Sequence, residues 1–330
     1  MKLLIIFFII SFITCLKFTK FLNLKNKVFF GRFYEFSNIK DDLGYQIPLF
    51  TNFGELTDDG MRYYDMCSKK INGQKIGTII TGDTSVGKYN KYGLGRIDDN
   101  IHISEHKYLA ELVHKNEADI ILKIINYLDD NEEINLHEQE IISKYSDKIT
   151  SIIKIEDIIQ IEDDYVQGAI RAKQAGYDCV LISLNGDFNN NILNLFLSSD
   201  INKRKDEYGG ININNRVKIL SEIIKKIRIN LGYEYPLGLV ISFPNKYLGI
   251  KEDEIITACK IAEKSGIEFI QIDTGDSYSN YGNRENDMNN PIEFIKKLSE
   301  NIKKIQIVIF NKGILDKNDL KTLAKLGIKF

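Results

Sequence analysis

Two features of the chain put charge where chemistry could use it. The run from Phe196 to Arg216, FLSSDINKRKDEYGGININNR, sets Arg204, Asp206, Glu207 and Arg216 around the pair Gly209 and Gly210. Glycines permit backbone angles that a side chain forbids, and charges of both signs pin a loop. Such a network is either scaffold or the rim of a site. The second feature is Lys123, in the middle of the apolar run DIILKII. A lysine there needs a partner or a cavity, or it snorkels to the rim along its own stem. Histidine, the commonest general acid or base, occurs only as His102, His106, His114 and His137. No Cys-x-x-Cys or His/Cys cluster has metal-ligand spacing, so no metal is expected, and Cys67, Cys179 and Cys259 read as buried thiols.

The elements that must position these residues alternate in type. Short β-rich apolar runs at 46–52, 77–82, 119–125, 179–185, 237–243, 269–274 and 306–313 alternate with segments of helical period near 57–71, 103–116, 155–175, 214–230, 251–265, 291–303 and 316–326. Near-continuous apolar strands imply burial on both faces. Even repetition without a Gly-x-Gly-x-x-Gly turn favours an α/β TIM (β/α)8 barrel over a dinucleotide-binding sheet. No second domain is visible. The polar stretch 126–153 reads as an insertion or surface loop. The sequence stops at Gly327-Ile328-Lys329-Phe330, where an eighth strand is expected, so the barrel reads as lacking its eighth strand–helix unit. Unpaired first and seventh strands would then invite a partner chain that completes the barrel.

At 330 residues, 43% hydrophobic and 27% charged, the composition is globular, and a net charge of -2 argues against nucleic acid as a partner. Residues 1–15 place Lys2 before an apolar run, which fits a signal peptide and is short for a membrane span, a retained anchor being the alternative. Residues 16–40 form a basic segment whose first acid is Glu35. Together they resemble bipartite leaders that pass through the secretory pathway to a plastid-like organelle, with ER association or membrane anchoring as alternatives. No membrane contact is expected after leader cleavage. The barrel is expected over 41–330.

The Asn-x-Arg-x-Asp-Glu-Tyr-Gly-Gly run resembles the loop after the fourth strand in the old yellow enzyme family, FMN-dependent NAD(P)H oxidoreductases on a (β/α)8 barrel. The resemblance runs from about Tyr45 to Phe330. It implies FMN as cofactor, NAD(P)H as reductant and a small enone or enoyl compound as substrate. Ile47 to Asn52 is similar to the first-strand segment that contacts the flavin, which implies Pro48 and Thr51 as cofactor-binding. Gly77 to Val86 is similar to the second-strand motif and implies Gly82 and Asp83, with Asp83 standing where the family has a small residue. Lys123 falls on the third-strand glutamine that hydrogen-bonds the flavin ring, and Val240 on the fifth-strand arginine that faces it. Asn311, Lys312 and Gly313 resemble the loop that holds the FMN phosphate. At the substrate-binding His-x-x-His or His-x-x-Asn pair, alignment from the strand places Ser183 and Gly186, alignment backward from Phe196 places Gly186 and Asn189, and a gapped fit keeps Asn185 as its asparagine; the proton-donating tyrosine falls on Phe188 or Asn191. These departures leave three readings: an active FMN oxidoreductase, a barrel that has lost the flavin site and serves as a binding subunit, and a flavin-binding barrel whose missing end is supplied by another chain or a longer product.

Overall fold

The computed structural model describes residues 29–31, 36–40, 46–51, 53–69, 77–88, 94–128, 143, 145–184, 191–244, 249–273, 291–310 and 317–328. In chain order the elements are β1 (Phe29–Gly31), β2 (Phe36–Lys40), β3 (Gln46–Pro48), α1 (Asp58–Ser68), β4 (Thr78–Ser85), β5 (Gly95–Arg96), α2 (Ile103–Lys115), β6 (Asp119–Ile125) and α3 (Ile155–Gln174). They continue as β7 (Cys179–Leu184), α4 (Ile192–Leu197), α5 (Ile213–Arg216), α6 (Lys218–Leu231), β8 (Leu237–Ile241), α7 (Glu252–Ser265), β9 (Phe269–Asp273), α8 (Pro291–Asn301), β10 (Gln306–Phe310) and α9 (Lys317–Lys325). All seven expected strands and all seven expected helices are present at these places, and six of those strands lie in the barrel sheet.

Strands β1, β4, β6, β7, β8, β9 and β10 pair in that order in one parallel sheet, with β5 against the end of β4. Each strand presents alternate residues to two environments. Ile79, Ile120, Leu122, Val180, Ile182, Leu239, Ile270 and Ile307 pack in the large core shared with the helices. Ile80, Ile121, Cys179, Leu181, Val240, Phe269 and Val308 form a separate cluster on the other face, inside the barrel. This double burial is what the unbroken apolar runs anticipated. Helix α1 starts where Thr57 Oγ1 accepts from Gly60 N at 2.9 Å, with Asp58 and Asp59 in its positive first turn. Cys67, Cys179 and Cys259 are buried free thiols, as expected.

The first strand is a correction. The expected strand at 46–52 lies outside the parallel sheet: β3 pairs antiparallel with β2. The strand beside β4 is β1, with Phe29, Phe30 and Gly31 in register with Thr78, Ile79 and Ile80. The barrel sheet therefore reaches back into the segment expected as a basic transit sequence. A net run of lysines around a short strand concealed the parallel partner, whereas Pro48 and its apolar neighbours mimicked one.

The Phe196–Arg216 run is scaffold. Asn202 Nδ2 donates to the carbonyls of Phe196 and Tyr208 at 2.7 and 2.8 Å, closing the loop on itself. Arg204 Nη1 donates to Ile149 O and Ile153 O at 2.7 and 2.6 Å, clamping the π-turn Lys148–Ile152. Burial works against the Asp206 carboxylate, yet its bonds from Arg204 and Tyr208 N–H hold it below its ordinary pKa. Arg216, 2% exposed, reaches outside the loop to Glu254, while Glu207 pairs with Lys218 at 2.7 Å. A Cβ on Gly209 would lie 2.1 Å from Asn202 Oδ1, and Gly210 has φ of 83°, so the glycine pair is required by the turn.

Candidate functional site

The polar groups inside the barrel sit toward the carboxyl ends of the strands, where barrels of this kind carry their sites. Strand register brings two of them together. Asp83 on β4 is the Cα partner of Lys123 on β6, across a bulge that follows Ile80. Lys123 Nζ lies 2.7 Å from Asp83 Oδ1, with the side chains 5% and 10% exposed. The approach is an ion pair by distance, but Oδ1 makes no directed hydrogen bond. The lysine thus has the partner its apolar strand demanded, supplied by the residue two strands of sequence reading treated separately.

The backbone around the pair is held from both sides. Lys123 N donates to Thr81 Oγ1 at 3.1 Å, and Gly82 N to the Tyr64 hydroxyl at 3.3 Å. Asn126 N donates to the Tyr165 hydroxyl at 3.0 Å, and burial keeps that phenol far above its ordinary pKa. Beneath the pair the interior is filled. A Cβ on Gly238 would meet Leu181 Cδ2 at 2.4 Å and Phe269 Cζ at 2.5 Å, so these two side chains close over a glycine to make the floor.

Ser183 on β7 faces the same interior through its register with Val240, which belongs to the inner cluster. Its hydroxyl is fully buried and has no hydrogen-bond partner among the described residues. Gln271, in register with Val240 on β9, adds a buried amide; sequence reading missed it because a lone glutamine in FIQID carries no motif. The donors and acceptors at the inner face therefore include an ammonium, a carboxylate, a hydroxyl and an amide.

Other expected residues stand elsewhere. Pro48 is in the hairpin strand β3, and Thr51 is in the following turn, where its Oγ1 accepts from Phe53 N and Glu55 N. Neither is on a strand of the parallel sheet. Asn185, Phe188, Asn311, Lys312 and Gly313 lie outside the described residues. Asn191 caps α4, accepting from Leu193 N, and its Nδ2 donates to Ser183 O at 3.1 Å, so its amide is engaged as scaffold.

The described histidines are engaged away from this site. His106 Nε2 must donate to Arg96 O at 2.8 Å, which leaves Nδ1 to accept from the Tyr177 hydroxyl at 2.7 Å. Burial pushes His106 down to about 4. His102 faces Asp98 at 3.5 Å, and His114 pairs with Asp178 at 2.8 Å. Among the described residues no group of three or more His, Cys, Asp or Glu could hold a metal ion, and no helix is long and apolar enough to cross a membrane.

The architecture has known counterparts. An old yellow enzyme from Trypanosoma cruzi superposes with a TM-score of 0.66 at 17% identity, over 92% of this chain and 83% of that one. Its homologue from Zymomonas mobilis gives 0.65 at 16%, over 93% and 84%. In sequence, an NADPH dehydrogenase of Halalkalibacterium halodurans is 31% identical over 61% of this chain and 59% of its own length. A metal reductase of Desulforamulus reducens is 26% identical over 68% of this chain and 34% of its own length. The chain thus spans less than two thirds of the length of the last two, its relatives in sequence. Residues 52–313 match the model of the NADH:flavin oxidoreductase / NADH oxidase family, which uses FMN with NAD(P)H as reductant. The chain belongs to that family, the one that contains the old yellow enzymes.

Proposed function

We propose that this protein is an FMN-dependent NAD(P)H oxidoreductase acting on a small activated alkene, such as an enone or enoyl compound. The observation that carries the reading is the buried Asp83–Lys123 pair at the carboxyl-terminal half of two adjacent barrel strands. Charges are retained in an apolar interior when they have a polar task there, because desolvation otherwise disfavours them. The residues fit a flat heteroaromatic ring in part: Lys123 and Ser183 offer donors, Asp83 an acceptor, and the Leu181–Phe269 floor an apolar face. Bound FMN would supply hydride transfer between NAD(P)H and the alkene. Lys123 would hold the ring by donating to it. The arginine position of the family is taken by Val240, so Lys123 is the described cation that supplies positive charge from the third-strand side. Asp83 partly offsets that charge, which favours a ring that stays neutral at this edge.

A second reading, a flavin-free barrel that serves as a binding subunit, is favoured by one set of observations. No histidine falls at the family's pair, and Asn191, one of the two residues that fall at the tyrosine position, is committed to scaffold bonds. Anaerobic mixing of the flavin-loaded protein with NADPH or NADH, followed by 2-cyclohexenone, separates the two. Bleaching by the nicotinamide and recovery of colour with the enone supports the oxidoreductase. Folded protein that takes up no added FMN, and so shows neither bleaching nor recovery, supports the binding subunit.

We also propose, from sequence alone, that an apolar leader in residues 1–15 directs the chain into the secretory route towards a plastid-like organelle. Any cleavage that keeps the barrel sheet intact falls before Phe29. An eighth strand that closes the sheet between β10 and β1, from a longer product or a partner chain, is part of the same proposal.

A further inference from the structure

We infer that Asp83 and Lys123 act together as a recognition edge for a cyclic imide, the ammonium donating to a ring carbonyl and the carboxylate accepting from the adjacent ring N–H. This rests on the FMN reading, because the pyrimidine ring of a flavin presents that edge. An ammonium carries three N–H donors, and a carboxylate accepts at two oxygens. A single contact at 2.7 Å engages one of each, and the contact is not directed along a hydrogen bond at Asp83 Oδ1. Among the described residues no other side chain or carbonyl takes the remaining donors of Lys123 or donates to Asp83.

Ile80, Ile121 and Leu181 adjoin the pair on the same face and offer no hydrogen bonds, while the hydroxyl of Ser183, two residues beyond Leu181, and the amide of Gln271 on β9 stand farther along it. The pair thus presents adjacent donors and an acceptor in an apolar setting, where an unmade hydrogen bond is costly. Its chemistry also selects the ligand class. A lone buried cation would suit an anion, whereas a pair with no net charge suits a neutral edge that alternates carbonyl and N–H. Register fixes the geometry of that edge: the two residues are Cα partners on adjacent strands, so their side chains leave the sheet side by side. One amide side chain can make such a double contact, and here two charged side chains from different strands divide it. Asp83 is then a binding residue in its own right, which explains a carboxylate beside a ring that an isolated negative charge would repel.

The test compares FMN with its N3-methyl analogue, which lacks the ring N–H, by quenching of flavin fluorescence on the full-length protein. The expected result is a Kd at least about tenfold weaker for the methyl analogue, the size of a hydrogen bond to a charged acceptor. In Asp83→Leu/Lys123→Met, which replaces the pair by apolar side chains, FMN is expected to weaken by a similar factor. The difference between the two flavins is expected to shrink to about twofold, with the thermal unfolding temperature held or raised. Equal affinity of the wild-type protein for both flavins overturns the imide edge and leaves the FMN reading standing. A methyl penalty that persists undiminished in the double variant also overturns it, because steric exclusion would then be the cause. A folded protein that takes up neither flavin overturns both. If the double variant does not fold, the wild-type comparison decides.

Discussion

Replacing Arg216 by methionine tests whether the Phe196–Arg216 run is scaffold. Arg216 is 2% exposed and donates to Leu197 O at 2.8 Å, Gly210 O at 2.7 Å and Ile211 O at 3.0 Å, and it pairs with Glu254, itself 14% exposed. Methionine fills much of the stem volume but provides none of these donors. Three carbonyls lose a partner, and a mostly buried carboxylate loses its counter-charge. Breaking a buried pair from one side costs about 3–5 kcal/mol, which here includes part of the carbonyl losses because the terms are not additive. At about 2–4 °C per kcal/mol for a domain of this order of size, the unfolding temperature is expected to fall by roughly 10 °C. Arg216→Met/Glu254→Met removes the stranded charge and is expected to recover part of the loss. Arg216→Lys recovers less than its charge suggests, because an ammonium cannot fork to four oxygens. The assay is urea unfolding followed by near-UV circular dichroism. A loss below about 1 kcal/mol in Arg216→Met, or a double variant less stable than the single one, would refute the clamp.

Three further outcomes follow from the geometry. His106 has its folded-state pKa pushed down to about 4 by burial, below the ordinary value of 6.5, so its contribution is fully present above pH 6.5 and is lost as pH falls through 4. The loss approaches about 3 kcal/mol over that window, and His106→Gln is expected to flatten the urea midpoint between pH 7 and pH 4.5; an unchanged slope contradicts the assignment. Gly238→Ala drives a methyl group into Leu181 and Phe269 at 2.4 and 2.5 Å and is expected to cost about 1–3 kcal/mol, measured by thermal unfolding, with a neutral change arguing against a closed floor. A protein beginning at Phe36 loses β1 and exposes the edge of β4, and it is expected to melt lower and associate more in light scattering than one beginning before Lys25.

The periodicity of the chain revealed most of the barrel because parallel strands buried on both faces leave an unmistakable trace. DIILKII, CVLISL and FIQID are strands at the expected places, and the helices between them carry apolar stripes that face the outer core. The first strand escaped that logic because Phe29–Gly31 is only three residues long and sits among lysines. Pro48, Leu49 and Phe50 looked more strand-like, yet the pairing partner is a tertiary property that no local pattern carries. The site was legible in the same uneven way. Lys123 announced itself as a charge in an apolar run, and Asp83 as a carboxylate in a strand motif, but their pairing depends on a bulge in β4 that brings position 83 opposite position 123. Of the four loop charges named in the sequence, two reach outward, Arg216 to Glu254 and Glu207 to Lys218, because helices later in the chain supply the nearer partners, which no local pattern carries.

Whether the barrel interior holds a flavin is tested most directly by the visible spectrum of the purified protein after incubation with excess FMN and removal of unbound ligand. The expected result is oxidised-flavin absorbance at close to one equivalent per chain, lost on substitution of the Asp83–Lys123 pair in proportion to the weakened binding. A folded, colourless protein that retains no FMN would contradict it.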